Sequence, residues 1–302
     1  MSQPSLSELF PEDNPALHHL RDGVTADRQM CPLGCGSLKP RLGLGVRQAD
    51  CRTAHRATLE ALRIGYRAVD TAAVYNNESG VGLALKEARD LLGLTRDELF
   101  ITAKLWNSFQ GRDTALNACR RTLERLGLNY IDLYLIHWPA PGQGRYAEAW
   151  KGLLHLRDEG LARAVGVCNF LPEHLDRLLE ETGQKPSVNQ IELHPHYQQS
   201  RLCAELGRRG VAVEAASPLG QGQALTAPLF RKLALKHGKT PAQIVLRWHL
   251  DQGRLVTPNS THPARLQENF AVFDFRLDPE DMRQIALLEN GRRLGPDPAT
   301  FT

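Results

Sequence analysis

The chain has no marked excess of one charge. Over 302 residues, 37 Lys and Arg are set against 34 Asp and Glu, a formal net of +3. So small a surplus gives no electrostatic reason to expect a nucleic-acid partner. The basic residues are dispersed, and Arg208 and Arg209 read as solvated groups at a helix end. No apolar run approaches the roughly 20 residues that cross a bilayer, so no membrane partner is expected. Residues 1–14 include Glu8, Glu12 and Asp13 and lack the apolar core of a signal peptide. Six cysteines (31, 35, 51, 119, 168 and 203) follow no disulfide framework. Cys31 and Cys35 would make half of a metal site, but no second ligand pair lies nearby, so no metal is expected. There is no P-loop and no H-E-x-x-H, and Gly43 and Gly45 lack the third glycine and helix start of a Rossmann fingerprint. A reduced, cytoplasmic, monomeric globular protein acting on a small molecule is what these absences leave.

From about residue 41 the chain alternates short apolar runs with amphipathic segments. Strands are expected over 41–46, 67–70, 99–104, 131–137, 162–168, 187–191, 211–216 and 253–257. Helical patterns fall between them at 55–64, 80–92, 114–126, 147–159, 175–181, 200–208, 229–237 and 241–252. Thr240-Pro241, a capping residue followed by proline at the first helical position, marks one helix start. Eight such units predict an α/β fold, a (β/α)₈ TIM barrel formed as one domain over 1–302. Residues 1–40 stand outside the alternation as an N-terminal extension. Asp22-Gly23 signals a hairpin there, and 26–38 reads as a loop insertion.

Four polar residues lie at or just beyond successive strand ends: Asp70, Tyr75, Lys104 and His137. In a barrel such groups meet on the rim where these enzymes keep their chemistry. An acid, a phenol, an amine and an imidazole together make a proton-transfer site. A Lys ammonium favours phenolate and is expected to lower the Tyr75 pKa, while a carboxylate keeps that Lys charged.

These segments resemble the aldo-keto reductase family. The resemblance rests on Gly65-Tyr66-Arg67-Ala68-Val69-Asp70-Thr71-Ala72 with Tyr75, Glu78 and Val81-Gly82, on Lys104 before Leu105-Trp106-Asn107, and on His137 in Leu135-Ile136-His137-Trp138-Pro139. Gly166-Val167-Cys168-Asn169-Phe170, Val188-Asn189-Gln190 and Ser217-Pro218-Leu219-Gly220-Gln221 continue it in order. The chain looks most like microbial members of the 2,5-diketogluconate reductase or prostaglandin F synthase kind. The resemblance implies NADPH-dependent reduction of aldehydes and ketones to alcohols. Tyr75 would be the proton donor, Lys104 its tuner, Asp70 the partner of Lys104, and His137 the group that orients the carbonyl. It further implies nicotinamide near Cys168, Asn169, Gln190 and Ser217, and pyrophosphate near Leu219, Gly220 and Gln221. Adenosine phosphate would lie near Ser260, Thr261 and Arg265, with Glu268 and Asn269 on the adenine side. Arg47, Trp106 and His137 would face the substrate.

The chain departs from the family pattern at four positions. Cys168 replaces a serine, Ala216 the aromatic that stacks on nicotinamide, Asn259 the phosphate-binding lysine, and Arg47 a pocket tryptophan. The loss of a lysine at 259 predicts a reduced preference for NADPH over NADH, so that both serve. An Arg at 47 suits a substrate carboxylate. The four departures also admit an alternative, a catalytically weak nucleotide-binding sensor or subunit of the same fold.

Overall fold

The structure, a computed structural model, describes residues 30–302. It opens with a short antiparallel hairpin of β1 (Met30–Pro32) and β2 (Leu38–Pro40). The described part of the segment read as a loop insertion over 26–38 therefore holds β1, the turn of the hairpin and the first residue of β2, and the Asp22-Gly23 signal lies outside the described residues. Eight parallel strands follow, each paired with the next: β3 (Leu44–Gly45), β4 (Ala68–Asp70), β5 (Phe100–Leu105), β6 (Ile131–Ile136), β7 (Ala162–Cys168), β8 (Val188–Glu192), β9 (Ala212–Ala216) and β10 (Leu255–Val256). A parallel bridge between Leu42 and Val256 joins the last strand to the first. Gly43 N–H donates to the Val256 carbonyl at 2.9 Å and Val256 N–H to the Arg41 carbonyl at 2.8 Å, which closes the barrel. Every residue of β5 and β6 is buried, as expected of strands covered on both faces.

The helices in chain order are α1 (Cys51–Ile64), α2 (Glu78–Leu92), α3 (Arg112–Leu126), α4 (Tyr146–Asp158), α5 (Pro172–Thr182), α6 (Ser200–Arg208), α7 (Pro228–His237), α8 (Pro241–Asp251), α9 (Pro263–Phe270) and α10 (Pro279–Ala286). α1 begins before the apolar pattern does, because the Asp50 carboxylate caps it by accepting the Thr53 N–H at 2.7 Å. Thr240 and Gln243 form a reciprocal capping box at α8. α9 and α10 lie beyond the helices expected from the sequence. α2 is wedged between its neighbours. A Cβ on Gly80 would strike the Cys51 carbonyl oxygen, and one on Gly82 would lie 2.5 Å from the Leu126 carbonyl oxygen. Arg209 is not merely solvated: it bonds Asp176 of α5 at 2.5 Å and Glu205 at 2.8 Å.

The hairpin sits at the end where the barrel strands begin. From β2, Lys39 enters the barrel, donating to both Glu214 carboxylate oxygens at 2.7 Å and to Thr102 Oγ1 at 3.3 Å. Lys39 and Glu214 are 1% and 0% exposed. The hairpin thus plugs one end, and the residues that follow each strand gather at the other.

Candidate active site

Asp70 is the last residue of β4, and Lys104 is next to last in β5. Their pairing register brings the two side chains together, and the buried Lys104 ammonium donates to Asp70 Oδ1. Tyr75 ends a single helical turn, Ala73–Tyr75, which lifts its ring beside the strand ends. Lys104 Nζ lies 5.5 Å from the centre of that ring. His137 follows β6 directly and meets Tyr75 edge-on at 5.8 Å between ring centres. Trp106 meets the same imidazole edge-on at 5.2 Å. Asp70, Tyr75, Lys104, Trp106 and His137 therefore form one cluster at the mouth of the barrel.

Burial and charge set the protonation of this cluster. Burial pushes the Tyr75 phenol above its ordinary pKa, and the Lys104 ammonium opposes that push without reversing it. The expected net lowering by Lys104 is thus corrected: desolvation outweighs the cation. Burial works against the charge on Lys104, yet Asp70, helped by Tyr75 and Cys168, holds its pKa above that of an ordinary lysine. His137 is driven well below 6.5, first by burial and then by the Lys104 and Arg47 cations. At neutral pH the site holds a neutral phenol, an ammonium and a neutral imidazole. His137 Nδ1 is buried with no hydrogen-bond partner among the described residues, the kind of atom that a bound polar group satisfies.

The other expected residues divide. Gln190 Nε2 donates to Asp70 Oδ2 at 2.9 Å, so this amide is the second partner of the carboxylate that holds Lys104. Asn169 Nδ2 donates to the His137 carbonyl at 3.0 Å, with Asn169 in the left-handed region at φ 63°. Cys168 is buried at the end of β7, and burial raises its thiol pKa. Ser217 and Gln221 also adopt left-handed conformations, flanking Leu219 and the buried Gly220 just past β9. Ser260, Thr261 and Arg265 line one cavity of about 430 Å³ with Asp50 and Thr53, and Arg47, expected beside the substrate, lines it too. Glu268 and Asn269 are not among its lining residues. Glu268 accepts the Thr240 hydroxyl at 2.6 Å, and Asn269 is buried.

Three features went unseen in the sequence. The Gln190–Asp70 bond spans 120 residues and depends on strand register. Trp138 packs on Phe301 of the C-terminal tail at 4.5 Å, which draws the tail to the loop after β6. Asn107 is buried with both side-chain amide atoms unpartnered among the described residues.

The polar rim fits a phosphate-bearing nucleotide on these observations. Arg47, Arg265, Ser260, Thr261 and Thr53 line one open cavity, while buried amides stand at the strand ends.

Comparison with known proteins agrees with this geometry. The family model described as "Aldo/keto reductase family" matches residues 33–290. Methylglyoxal reductase DkgA of Escherichia coli K12 is 51% identical over 268 residues, 88% of this chain and 95% of that protein. An aldo-keto reductase of Mycolicibacterium smegmatis is 49% identical over 269 residues, 89% of this chain and 96% of that protein. Among solved structures, a point mutant of Gox0644 in complex with NADPH superposes with a TM-score of 0.87 at 42% identity, covering 91% of this chain and 99% of that one. The Bombyx mori aldo-keto reductase in complex with NADP gives 0.83 at 36% identity, covering 88% and 94%.

Proposed function

The chain belongs to the aldo/keto reductase family, and from that premise we propose that Tyr75 is the proton donor in an NADPH-dependent reduction of small aldehydes, ketones and 2-oxoaldehydes to alcohols. The observation that carries this reading is the cluster itself, with Lys104 bonded to Asp70 beneath the Tyr75 ring and His137 beside it. When bound, NADPH supplies the hydride. A carbonyl carbon that accepts hydride leaves charge on its oxygen, and a nearby acid must deliver a proton there.

Tyr75 is kept protonated by burial and can give up its hydroxyl proton to that oxygen. The Lys104 ammonium stabilises the phenolate left behind, and Asp70 fixes its position from one side while Gln190 holds Asp70 from the other. His137, neutral at working pH, donates a hydrogen bond that orients the carbonyl. Ser260, Thr261 and Arg265 would hold the adenosine phosphate and Leu219, Gly220 and Gln221 the pyrophosphate. Cys168, Asn169 and Ser217 would stand at the nicotinamide end, with Glu268 and Asn269 on the adenine side. Methylglyoxal, named in the DkgA relatives, is the substrate to try first. Six free thiols suit a reducing cytoplasm. Among the described residues no helix is long and apolar enough to cross a membrane. Nothing in the fold or the relatives favours the sensor alternative.

The test is loss of NADPH absorbance with methylglyoxal and 4-nitrobenzaldehyde, for the wild type and Tyr75→Phe. The variant should lose about 10²–10⁴ in kcat while binding NADPH nearly as before. Near-normal turnover in Tyr75→Phe would reassign the proton donor.

A further inference from the structure

We propose that Asn77 is a positioning residue for the proton donor, a buried carboxamide that closes the loop carrying Tyr75 and so sets where the phenol stands. The inference rests on the reductase reading above and deepens it.

Asn77 occupies the N-cap of α2, where an asparagine side chain ordinarily accepts a first-turn N–H. Here the side chain makes no such bond, and the helix starts on the Asn77 carbonyl, which accepts the Val81 N–H at 3.1 Å. The carboxamide is given over to the loops after β3 and β4 instead, and it is fully buried. Its Oδ1 accepts the Thr71 hydroxyl at 2.8 Å, and its Nδ2 donates to the carbonyls of Val46 at 2.8 Å and Ala49 at 2.9 Å. One acceptor and two donors are each matched, which neither a carboxylate nor a hydroxyl could do in this place.

The Thr71 bond ties residue 71 to residue 77 across the base of the loop that carries Tyr75. Thr71 is itself fixed and buried, its N–H donating at 2.9 Å to the carbonyl of Thr102, two residues before Lys104 in β5. On the other side, the Val46 N–H donates to the Asp70 carbonyl at 3.1 Å. The loop is therefore anchored to the strands that present Asp70 and Lys104. Within it, Tyr75 ends a single helical turn and Asn76 reverses the chain in the left-handed region at φ 53°. The neighbours of the phenol ring, Lys104 and His137, come from other strands, so the main chain over 71–77 decides where the hydroxyl lies relative to them. A proton donor works only within hydrogen-bond reach of the oxygen it serves. Closing this loop thus bears on the rate of the chemical step and not on nucleotide affinity.

The test uses the full chain with NADPH and methylglyoxal, measuring turnover and, by quenching of protein fluorescence, the Kd for NADPH. The variants are Asn77→Ala, Thr71→Val and Thr71→Ser, with the first two also made in the Tyr75→Phe background. Asn77→Ala should lower kcat by up to about a hundredfold and Thr71→Val by about tenfold, the scale of a misplacement of an ångström or less. KM and the Kd for NADPH should stay within about twofold. Thr71→Ser, which keeps the hydroxyl, should recover most of the turnover that Thr71→Val loses. In the Tyr75→Phe background neither substitution should lower turnover further, because each acts through the phenol. An equal fold loss with and without the phenol would overturn the proposal, as would an unchanged kcat with weakened NADPH binding. Should Asn77→Ala fail to fold, the isosteric Thr71→Val carries the same comparison. Near-normal turnover in Tyr75→Phe would bring down the proton-donor reading itself, whereas a Tyr75-dependent enzyme indifferent to both Asn77 and Thr71 would overturn this proposal alone.

Discussion

Lys104 carries its charge inside a buried site because Asp70 stands against it and Gln190 holds Asp70 in turn. Removing the ammonium would leave a buried carboxylate with only an amide for company. Lys104→Met is therefore expected to cost about 3–5 kcal/mol of stability as well as activity, measurable by urea denaturation beside a turnover assay. The pH dependence has a definite sign. Burial raises the Tyr75 pKa, so Tyr75, the proposed donor, stays protonated across neutral pH, and kcat for reduction should be flat there. It should fall only on the alkaline side of the ordinary phenol pKa of about 10. A decline beginning near neutrality would show that another group donates. At this scale the sequence was informative about which residues meet, since each of the four follows an apolar run. It was silent on their balance of burial against charge. Whether Lys104 or desolvation wins at Tyr75 depends on how tightly the site is packed, and no spacing encodes that. The surroundings of Gln190 and Arg47 were hidden for a related reason: their neighbours are set by register across the sheet.

Among the elements, the long runs with matching periodicity were legible and the short ones were not. β5, β6 and β7 announce themselves as buried apolar stretches bounded by polar turns. The hairpin of β1 and β2 does not, because three-residue strands carry too little pattern to distinguish them from a loop. α1 began before its expected start because Asp50, rather than hydrophobic spacing, sets it. The resemblance to the family did include Val81-Gly82, but the reason for small residues there is visible only in the packing. Gly80 and Gly82 let α2 press its backbone onto α1 and α3. Gly80→Ala should cost about 3 kcal/mol through overpacking against a carbonyl that cannot move freely. Gly207→Ala in α6, where a Cβ meets nothing, should instead stabilise by about 0.5–1 kcal/mol. Thermal denaturation of the pair would decide, and equal effects would refute the close packing.

For the molecule as a whole, the barrel is plugged at the end opposite the chemistry by an ion pair. Lys39 and Glu214 lie among the inward-facing residues with Thr102 as a third member. A pair this buried contributes little net stability but is costly to break on one side. Glu214→Ala should destabilise by about 3–5 kcal/mol, whereas Lys39→Met combined with Glu214→Leu should be neutral or stabilising. Chemical denaturation of both variants tests this, and a single-site loss no larger than that of the double variant would contradict it.

The ring of strands is joined by unequal lengths of ladder. β5 and β6 run six residues each, but β3 and β10 offer two apiece where the sheet meets itself. The thinnest stretch of the wall therefore lies beside the cavity shared by the loops after β3 and β10, and a nucleotide held there would staple it from outside. Amide protons of Gly43, Gly45 and Val256 should exchange with solvent sooner than those of β5 and β6. Saturating NADPH should slow them most, by up to about 2.7 kcal/mol at a hundredfold excess over Kd. The coenzyme would then serve as part of the masonry as well as the source of hydride.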